Sequence, residues 1–208
     1  CTIAHTTVTL AMAKIGLLTY PGASCVGRLI LDGIGMPPAL LDSSEVKTRL
    51  TTPDDVRTAL PVRMPDAHKG DFGRVLIVAG SLGMSGAPSL AAMGALRSGA
   101  GLVHLSVPAD IAVEGSARHA KVMVHSAPEP ATSAILEMAE QCQAAVVGPG
   151  MSCSDRTTAI VDALIARARM PLVLDADAVN VMAGRAHALQ LAQAPVVLTP
   201  HPGELGRL

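Results

Sequence analysis

From His68 to Gly101 the chain reads HKGDFGRVLIVAGSLGMSGAPSLAAMGALRSGAG, a buried strand, a glycine-rich turn and a helix in direct succession. The near-continuous apolar run Arg74 to Ala79 (RVLIVA) has the pattern of a parallel strand covered on both faces, which restricts the fold to strands layered between helices. From Ala87 to Ser98, Leu90, Met93, Ala95 and Leu96 recur near helical spacing, and Ala91, Ala92 and Gly94 keep one side small enough to pack closely on a sheet. Gly80, Gly83 and Gly86 punctuate the turn and leave backbone N–H groups free at the helix start, a geometry suited to an anion. The spacing G-x-x-G-x-x-G is neither the dinucleotide pattern G-x-G-x-x-G nor the phosphate loop G-x-x-x-x-G-K-[ST]. Taken alone it leaves open whether these glycines cradle a ligand or only shape a tight connection.

The same order recurs downstream. Leu102–Val107 (LVHLSV), Val122–His125, Ala144–Val147 (AAVV), Pro171–Leu174 (PLVL) and Pro195–Leu198 (PVVL) read as strands. Helical spacing marks Thr132–Gln141, a segment capped by Ser154 that carries Ile160, Val161, Leu164 and Ile165, and Val179 to about Leu191. Strands and helices alternating at this spacing predict an α/β fold with a mainly parallel sheet sandwiched by helices. Ligands of such sheets bind beyond the carboxyl ends of the strands. Four of those ends carry GSLGMSGA, GPGM, DADAVN and TPHPGE, a concentration of Gly, Asp, Asn and His that mere connections do not require.

Upstream, Thr6–Leu10, the apolar run Gly16–Tyr20 and Gly27–Asp32 supply too few strands to bury a core of their own. From Gly35 to Pro65 the composition shifts to Pro, Ser, Thr and mixed charge, with Asp42–Ser43–Ser44 inside it, and Thr52 followed by Pro53–Asp54–Asp55 starts a short helix over Val56–Leu60. The expected division is therefore residues 1–41, a linker over 42–66, and the main domain over 67–208. The opening on Cys1 and the stop at Leu208 lead us to expect that both ends continue in a longer polypeptide.

Composition narrows the function classes. Half of the 208 residues are hydrophobic and 16% are charged, so a sizeable core is expected. Tyr20 and Phe72 are the only aromatics and the formal net charge is −1, which argues against single-stranded and duplex nucleic acids as partners. No apolar run reaches the ~20 residues that span a bilayer, so no membrane partner is expected. Cys1, Cys25, Cys142 and Cys153 lack metal-site or disulfide spacing and read as reduced thiols of a cytoplasmic protein.

The four strand tips, in that order and after HKGDFG, resemble the NAD(P)H-hydrate dehydratases over about Val46 to Leu208. The resemblance implies a ribokinase-like three-layer αβα fold, incomplete here, and a repair reaction that removes water from (6S)-NAD(P)H hydrate at the expense of ADP or ATP with Mg2+. The preceding TVTL-x3-KIGLLTYPG and LILDGIGMP resemble the tail of the Rossmann-like epimerase domain of bifunctional members, whose substrate and K+ residues would lie upstream of Cys1. By position, Ala87, Gly150 and His201 fall where the family contacts the hydrated dinucleotide. Asp175, Asp177 and Asn180 match its DADALN, with Val179 for Leu, and read as support for phosphates, magnesium or ribose, while Asp177 also suits an N-cap. Lys69 of HKG is a candidate phosphate contact and otherwise an exposed loop lysine; Asp110, after Pro108, suits a helix start better than a ribose. Ser152 stands where many members have another glycine.

None of these residues is expected to be catalytic. The family's aspartate, in a segment resembling N-x-G-M-A-x-G-G-x-G-D, would lie beyond Leu208, so these residues alone are expected to be inactive. A ribokinase-like kinase of a small alcohol and a non-catalytic dinucleotide-binding module remain as alternatives. The sequence leaves the oligomeric state open, a homo-oligomer included, as it does NADH against NADPH hydrate and ADP against ATP.

Overall fold

The computed structural model describes residues 2–42, 47–118 and 120–208. Cys1, Ser43, Ser44 and Val46, which figure in the expectations above, lie outside the described residues. The chain forms two compact units, Cys1–Val62 and Arg63–Leu208.

In the first unit β1 (Thr6–Leu10) pairs in parallel with β2 (Arg28–Asp32), Thr6 opposite Arg28 and Leu10 opposite Asp32. The apolar run Gly16–Tyr20 holds the short helix α1 (Ile15–Leu18), closed where Thr19 N–H donates to Ile15 O. After β2 come α2 (Pro38–Leu41) and α3 (Pro53–Ala59). Thr52 caps α3 as expected. Its hydroxyl accepts from Asp55 N–H at 3.2 Å, and Asp55 Oδ2 accepts from Thr52 N–H at 2.7 Å. Among the described residues of this unit only Thr9 is buried.

The second unit is built on six parallel strands, β3 (Arg74–Val78), β4 (Leu102–Pro108), β5 (Met123–Ala127), β6 (Ala144–Val147), β7 (Leu172–Leu174) and β8 (Val196–Leu198), in the order β5-β4-β3-β6-β7-β8. The helices between them are α4 (Gly86–Ser98), α5 (Ala109–Arg118), α6 (Ala131–Ala139), α7 (Asp155–Arg167), α8 (Asp177–Asn180) and, after β8, α9 (Pro202–Leu205). Side-chain alternation sends Ile77, Val103, Leu105 and Val107 to one face, where they pack with Ala92 of α4 and Ile111 of α5. Leu76, Val78, Ala145, Val147, Leu172 and Leu174 face the other way, onto Ile135 of α6 and Ile160, Val161, Leu164 and Ile165 of α7. This is the three-layer αβα arrangement. With so few aromatics the layers interlock through Ala, Val, Leu and Ile, and Leu76, Ile77, Leu164 and Leu174 are fully buried.

Two local expectations are revised. The helix expected over Val179 to about Leu191 is limited to α8: Met182 and Ala183 N–H turn to the carbonyls three residues back, Gly184 then adopts left-handed backbone (φ +67°) and gives its N–H to Arg207 O at 3.3 Å, and a 3-10 segment, Ala186–Leu191, follows. The third strand starts one residue later and ends two residues later than expected, over Met123–Ala127, paired with β4 from His104 onward. Ser154 caps α7 as expected, its hydroxyl accepting from Thr157 N–H at 3.2 Å.

Candidate functional site

Because every strand of the second unit is parallel, all the loops that follow strands emerge on one edge. Strand β3 lies between β4 and β6, so the chain leaves β3 in one direction and returns on its other side. Such a reversal opens a crevice beyond the two strands that flank it. The loops there are Gly80–Gly86 after β3 and Gly148–Ser154 after β6.

Backbone hydrogen bonds tie these two tips together. Gly80 N–H donates to Pro149 O at 2.9 Å and Gly148 N–H to Val78 O at 3.1 Å. Gly150 is buried, has φ +66°, and a Cβ on it would stand 3.1 Å from Ala87 Cβ and 3.2 Å from both Cβ and O of Met84. The first residues of α4 and the GPG turn thus meet with nothing larger than a methyl group between Ala87 and Gly150. Ser81 Oγ donates to Gly150 O at 2.8 Å and lies 2.8 Å from Ser152 Oγ. Ser152 itself has φ +64°, a left-handed conformation that glycine adopts without cost. The hydroxyl contact with Ser81 offsets part of that strain and accounts physically for a serine at this position.

The tip of β7 is braced from both sides. Asp175 N–H donates to Val147 O at 3.0 Å, and its Oδ1 accepts from Thr199 Oγ1 at 2.7 Å, linking β7 to the end of β8. Ala176 has φ +49° and ψ −114°, a conformation rarely occupied by residues with a side chain. It occupies the N-cap position of α8 with no side-chain cap. The N-cap reading of Asp177 is therefore replaced: Asp177 lies in the first turn and its carboxylate reaches back to the β6 loop. Asp177 Oδ2 accepts from Ser152 N–H at 2.8 Å, and Oδ1 accepts from Asn180 Nδ2 at 3.3 Å and faces Cys153 Sγ at 3.7 Å. Partial burial first, and then the Asp177 carboxylate, push the Cys153 thiol above its ordinary range, so it stands there as a protonated donor.

His201 is the N-cap of α9, held extended before Pro202 as residues preceding proline are. Its Nδ1 accepts from the N–H groups of Gly203 at 3.0 Å and Glu204 at 3.4 Å. With Nδ1 an acceptor, the neutral ring carries its proton on Nε2, 3.3 Å from Glu204 Oε1. The side chain is 62% exposed, with Nε2 beside the buried Glu204 carboxylate on one side.

Gly150, Ala87, Asp175, Asp177, Asn180 and His201 therefore all belong to one edge. Lys69 does not join them. Its turn, Lys69–Phe72, precedes β3, and its carbonyl lies against Gly101 just ahead of β4, on the amino edge of the sheet. Asp110 lies in the first turn of α5. Three residues that no sequence motif singled out, Ser81, Met84 and Arg207, also take part. The serine could have been picked out within its glycine-rich loop. Arg207 could not, because its contact with Asn180 spans 27 residues and depends on the fold.

Comparison with known proteins places this edge in context. Residues 75–208 match the NAD(P)H-hydrate dehydratase family. The bifunctional NAD(P)H-hydrate repair enzyme Nnr of Moorella thermoacetica is 40% identical over 100% of this chain, and the Nnr of Salinibacter ruber is 40% identical over 99%. The chain spans only 41% and 40% of the length of those two proteins. Among solved structures, the ADP/ATP-dependent NAD(P)H-hydrate dehydratase of Bacillus subtilis co-crystallised with ATP and Mg2+ superposes with a TM-score of 0.64 at 30% identity, covering 78% of this chain and 56% of that one. A ribokinase-like superfamily protein of Enterococcus faecalis gives a TM-score of 0.63 at 26% identity, covering 71% and 51%. The family match takes in every tip described above and all six strands but for Arg74, the first residue of β3, and the chain belongs to the NAD(P)H-hydrate dehydratase family.

Proposed function

We propose that these residues form the substrate-facing part of an enzyme that dehydrates (6S)-NAD(P)H hydrate to NAD(P)H at the expense of ADP or ATP, within a longer polypeptide that also interconverts the R and S hydrates. The observation that carries this reading is the apposition of Ala87 and Gly150 at the sheet's reversal point, inside the region matched to the family. At this point a ligand would meet the Ala87 methyl group and the exposed Met84 beside it, while buried Gly150 lets the β6 turn pack against both. At the end of β8, two strands beyond β6, His201 offers Nε2–H as a donor whose tautomer is set by α9. Asp175, Asp177 and Asn180 turn their polar atoms to partners within the protein, so they serve by holding the tips in place.

Losing a ring hydroxyl requires a group that moves a proton and a phosphoryl donor that makes the hydroxyl a better leaving group, both in register with the ring. The reading assigns these tasks to the nucleotide and to the family's glycine-rich loop and aspartate, a segment that does not occur within these 208 residues. Magnesium that arrives with a nucleotide is held largely by phosphate oxygens and water with one or two carboxylates, and on this edge Asp175 and Asp177, which already accept from Thr199 Oγ1 and Ser152 N–H, are carboxylates that would be within the loops such an ion meets.

Calorimetric titration of the purified chain with NADH hydrate and with NADH tests the reading. The hydrate is expected to bind weakly but more tightly than NADH. His201→Asn keeps an acceptor for the cap of α9 and removes Nε2–H, and is expected to weaken hydrate binding about tenfold, the worth of one hydrogen bond. Absence of hydrate binding, or an unchanged affinity in His201→Asn, would overturn the assignment. Incubation with hydrate, ADP and Mg2+ is expected to give no recovery of nicotinamide absorbance, and turnover would place the catalytic group inside these residues.

A further inference from the structure

We infer that Arg207 is a positioning residue for the substrate-facing tips, acting through the side chains of Asn180 and Asp177 on the turn that carries Gly150. The inference rests on the functional reading above only for the identity of the ligand.

A guanidinium has donors and no acceptor. Arg207 places both Nε and Nη2 on Asn180 Oδ1, at 3.2 and 2.7 Å. That settles which way the amide points. Its Nδ2 must face Asp177 Oδ1, where it donates at 3.3 Å; a flipped amide would set NH2 against the guanidinium and oxygen against the carboxylate. Asp177 then has its Oδ2 free to accept from Ser152 N–H at 2.8 Å. Ser152 Oγ meets Ser81 Oγ, and Ser81 holds the Gly150 carbonyl. A continuous hydrogen-bonded path therefore runs from the end of the chain's last helical turn to the tip of β3, crossing the tips of β7 and β6 on the way.

The path matters because of what lies at its two ends. His201 and Arg207 belong to one tight segment, in which Glu204 N–H donates to His201 O at 3.0 Å and Arg207 N–H donates to Glu204 O at 3.1 Å. Gly150 lies at the other end. Beside the strand pairing and the Asp175–Thr199 contact that also tie these tips, the side-chain relay between Gly150 and the His201 segment takes its amide orientation from Arg207. Ser152 and Ala176 are both in positive-φ conformations along this path, and such residues keep them only when surrounding contacts over-determine them. Arg207 is exposed and contributes little to the core, so its removal is expected to act on the geometry of the tips and hardly on folding.

The test uses the whole chain with NADH hydrate as the titrant and four variants. Arg207→Ala is expected to weaken binding about tenfold while the melting temperature moves by no more than a few degrees. Arg207→Lys, which keeps a charged donor but not the fork, is expected to recover part of the affinity. Asn180→Ala is expected to lose about tenfold, and the double variant Arg207→Ala/Asn180→Ala to lose no more than that, since the two residues act as one unit. Nuclear magnetic resonance of the Asn180 side-chain amide is the second readout. Its two hydrogens are expected to be distinct and protected in the parent chain and to lose protection in Arg207→Ala. Unchanged affinity in Arg207→Ala, or losses that multiply to about a hundredfold in the double variant, would overturn the inference. If the parent chain does not bind the hydrate, the functional reading fails and the amide signal alone decides. Its loss of protection would still sustain the positioning role, and an unaltered signal would end it.

Discussion

Residues 2–62 and residues 63–208 both contain parallel strands rich in aliphatic side chains, yet they bury them to opposite extents. In β1 and β2, Val8 and Leu31 are each 56% exposed and Ile30 is 39% exposed. In β3, Leu76 and Ile77 are completely buried. Composition separates the two in part, since TTVTL mixes Thr with Val and Leu whereas RVLIV is apolar after its first residue. Their neighbours complete the difference. β3 has a strand on each side and a helical layer on each face, whereas β1 has one partner strand and three helices without a buried residue among them. A strand gains its stability from the layers that cover it, and two strands with short helices make a fold without making a core.

Hydrogen exchange is the strongest way to break this comparison. Amides of Arg74–Val78 are expected to exchange only through global opening, on the scale of about 5–15 kcal/mol for a folded domain, while those of Thr6–Leu10 exchange close to the fraying limit. Equal protection in the two strands would show that the first unit is held by far more than its burial suggests. Substitution sharpens the contrast. Leu76→Ala is expected to cost about 2–5 kcal/mol in denaturant unfolding and Leu31→Ala within about 0.5 kcal/mol. The smallest difference concerns two caps of like chemistry. Ser154→Ala is expected to cost about 1 kcal/mol, because α7 buries Ile160, Val161, Leu164 and Ile165, whereas Thr52→Ala on the exposed α3 is expected to melt that helix locally and leave the main transition in place.

The sequence made the second unit's sheet legible because a strand covered on both faces is apolar at nearly every position, and RVLIVA, AAVV, PLVL and PVVL are such runs. It made the candidate edge legible because parallel strands send all their following loops one way. Other features are encoded in no local pattern. The turn after α8 is tied off where Gly184 N–H meets the Arg207 carbonyl, a partner 23 residues away, and the role of Asp177 is set by a backbone N–H on another loop. Lys69, a candidate phosphate contact and otherwise an exposed loop lysine, is separated from the glycine-rich loop by the five residues of β3 and lies on the opposite edge. The left-handed backbone at Ser152 becomes intelligible only beside Ser81, which is distant in sequence and adjacent in space.

The uniform direction of the six strands also divides the molecule for labelling. Within residues 63–208 the turns that lead into the strands gather on the edge away from Gly150, beside the hollow of about 620 Å³ lined by Leu136, Cys142, Arg167, Arg169 and Gln193. Even the four residues of β6 hold the two edges about 13 Å apart at the usual rise of a strand. A fluorophore or affinity handle attached at the exposed Arg169 would therefore follow folding and surface capture of the molecule while leaving the ligand's approach clear.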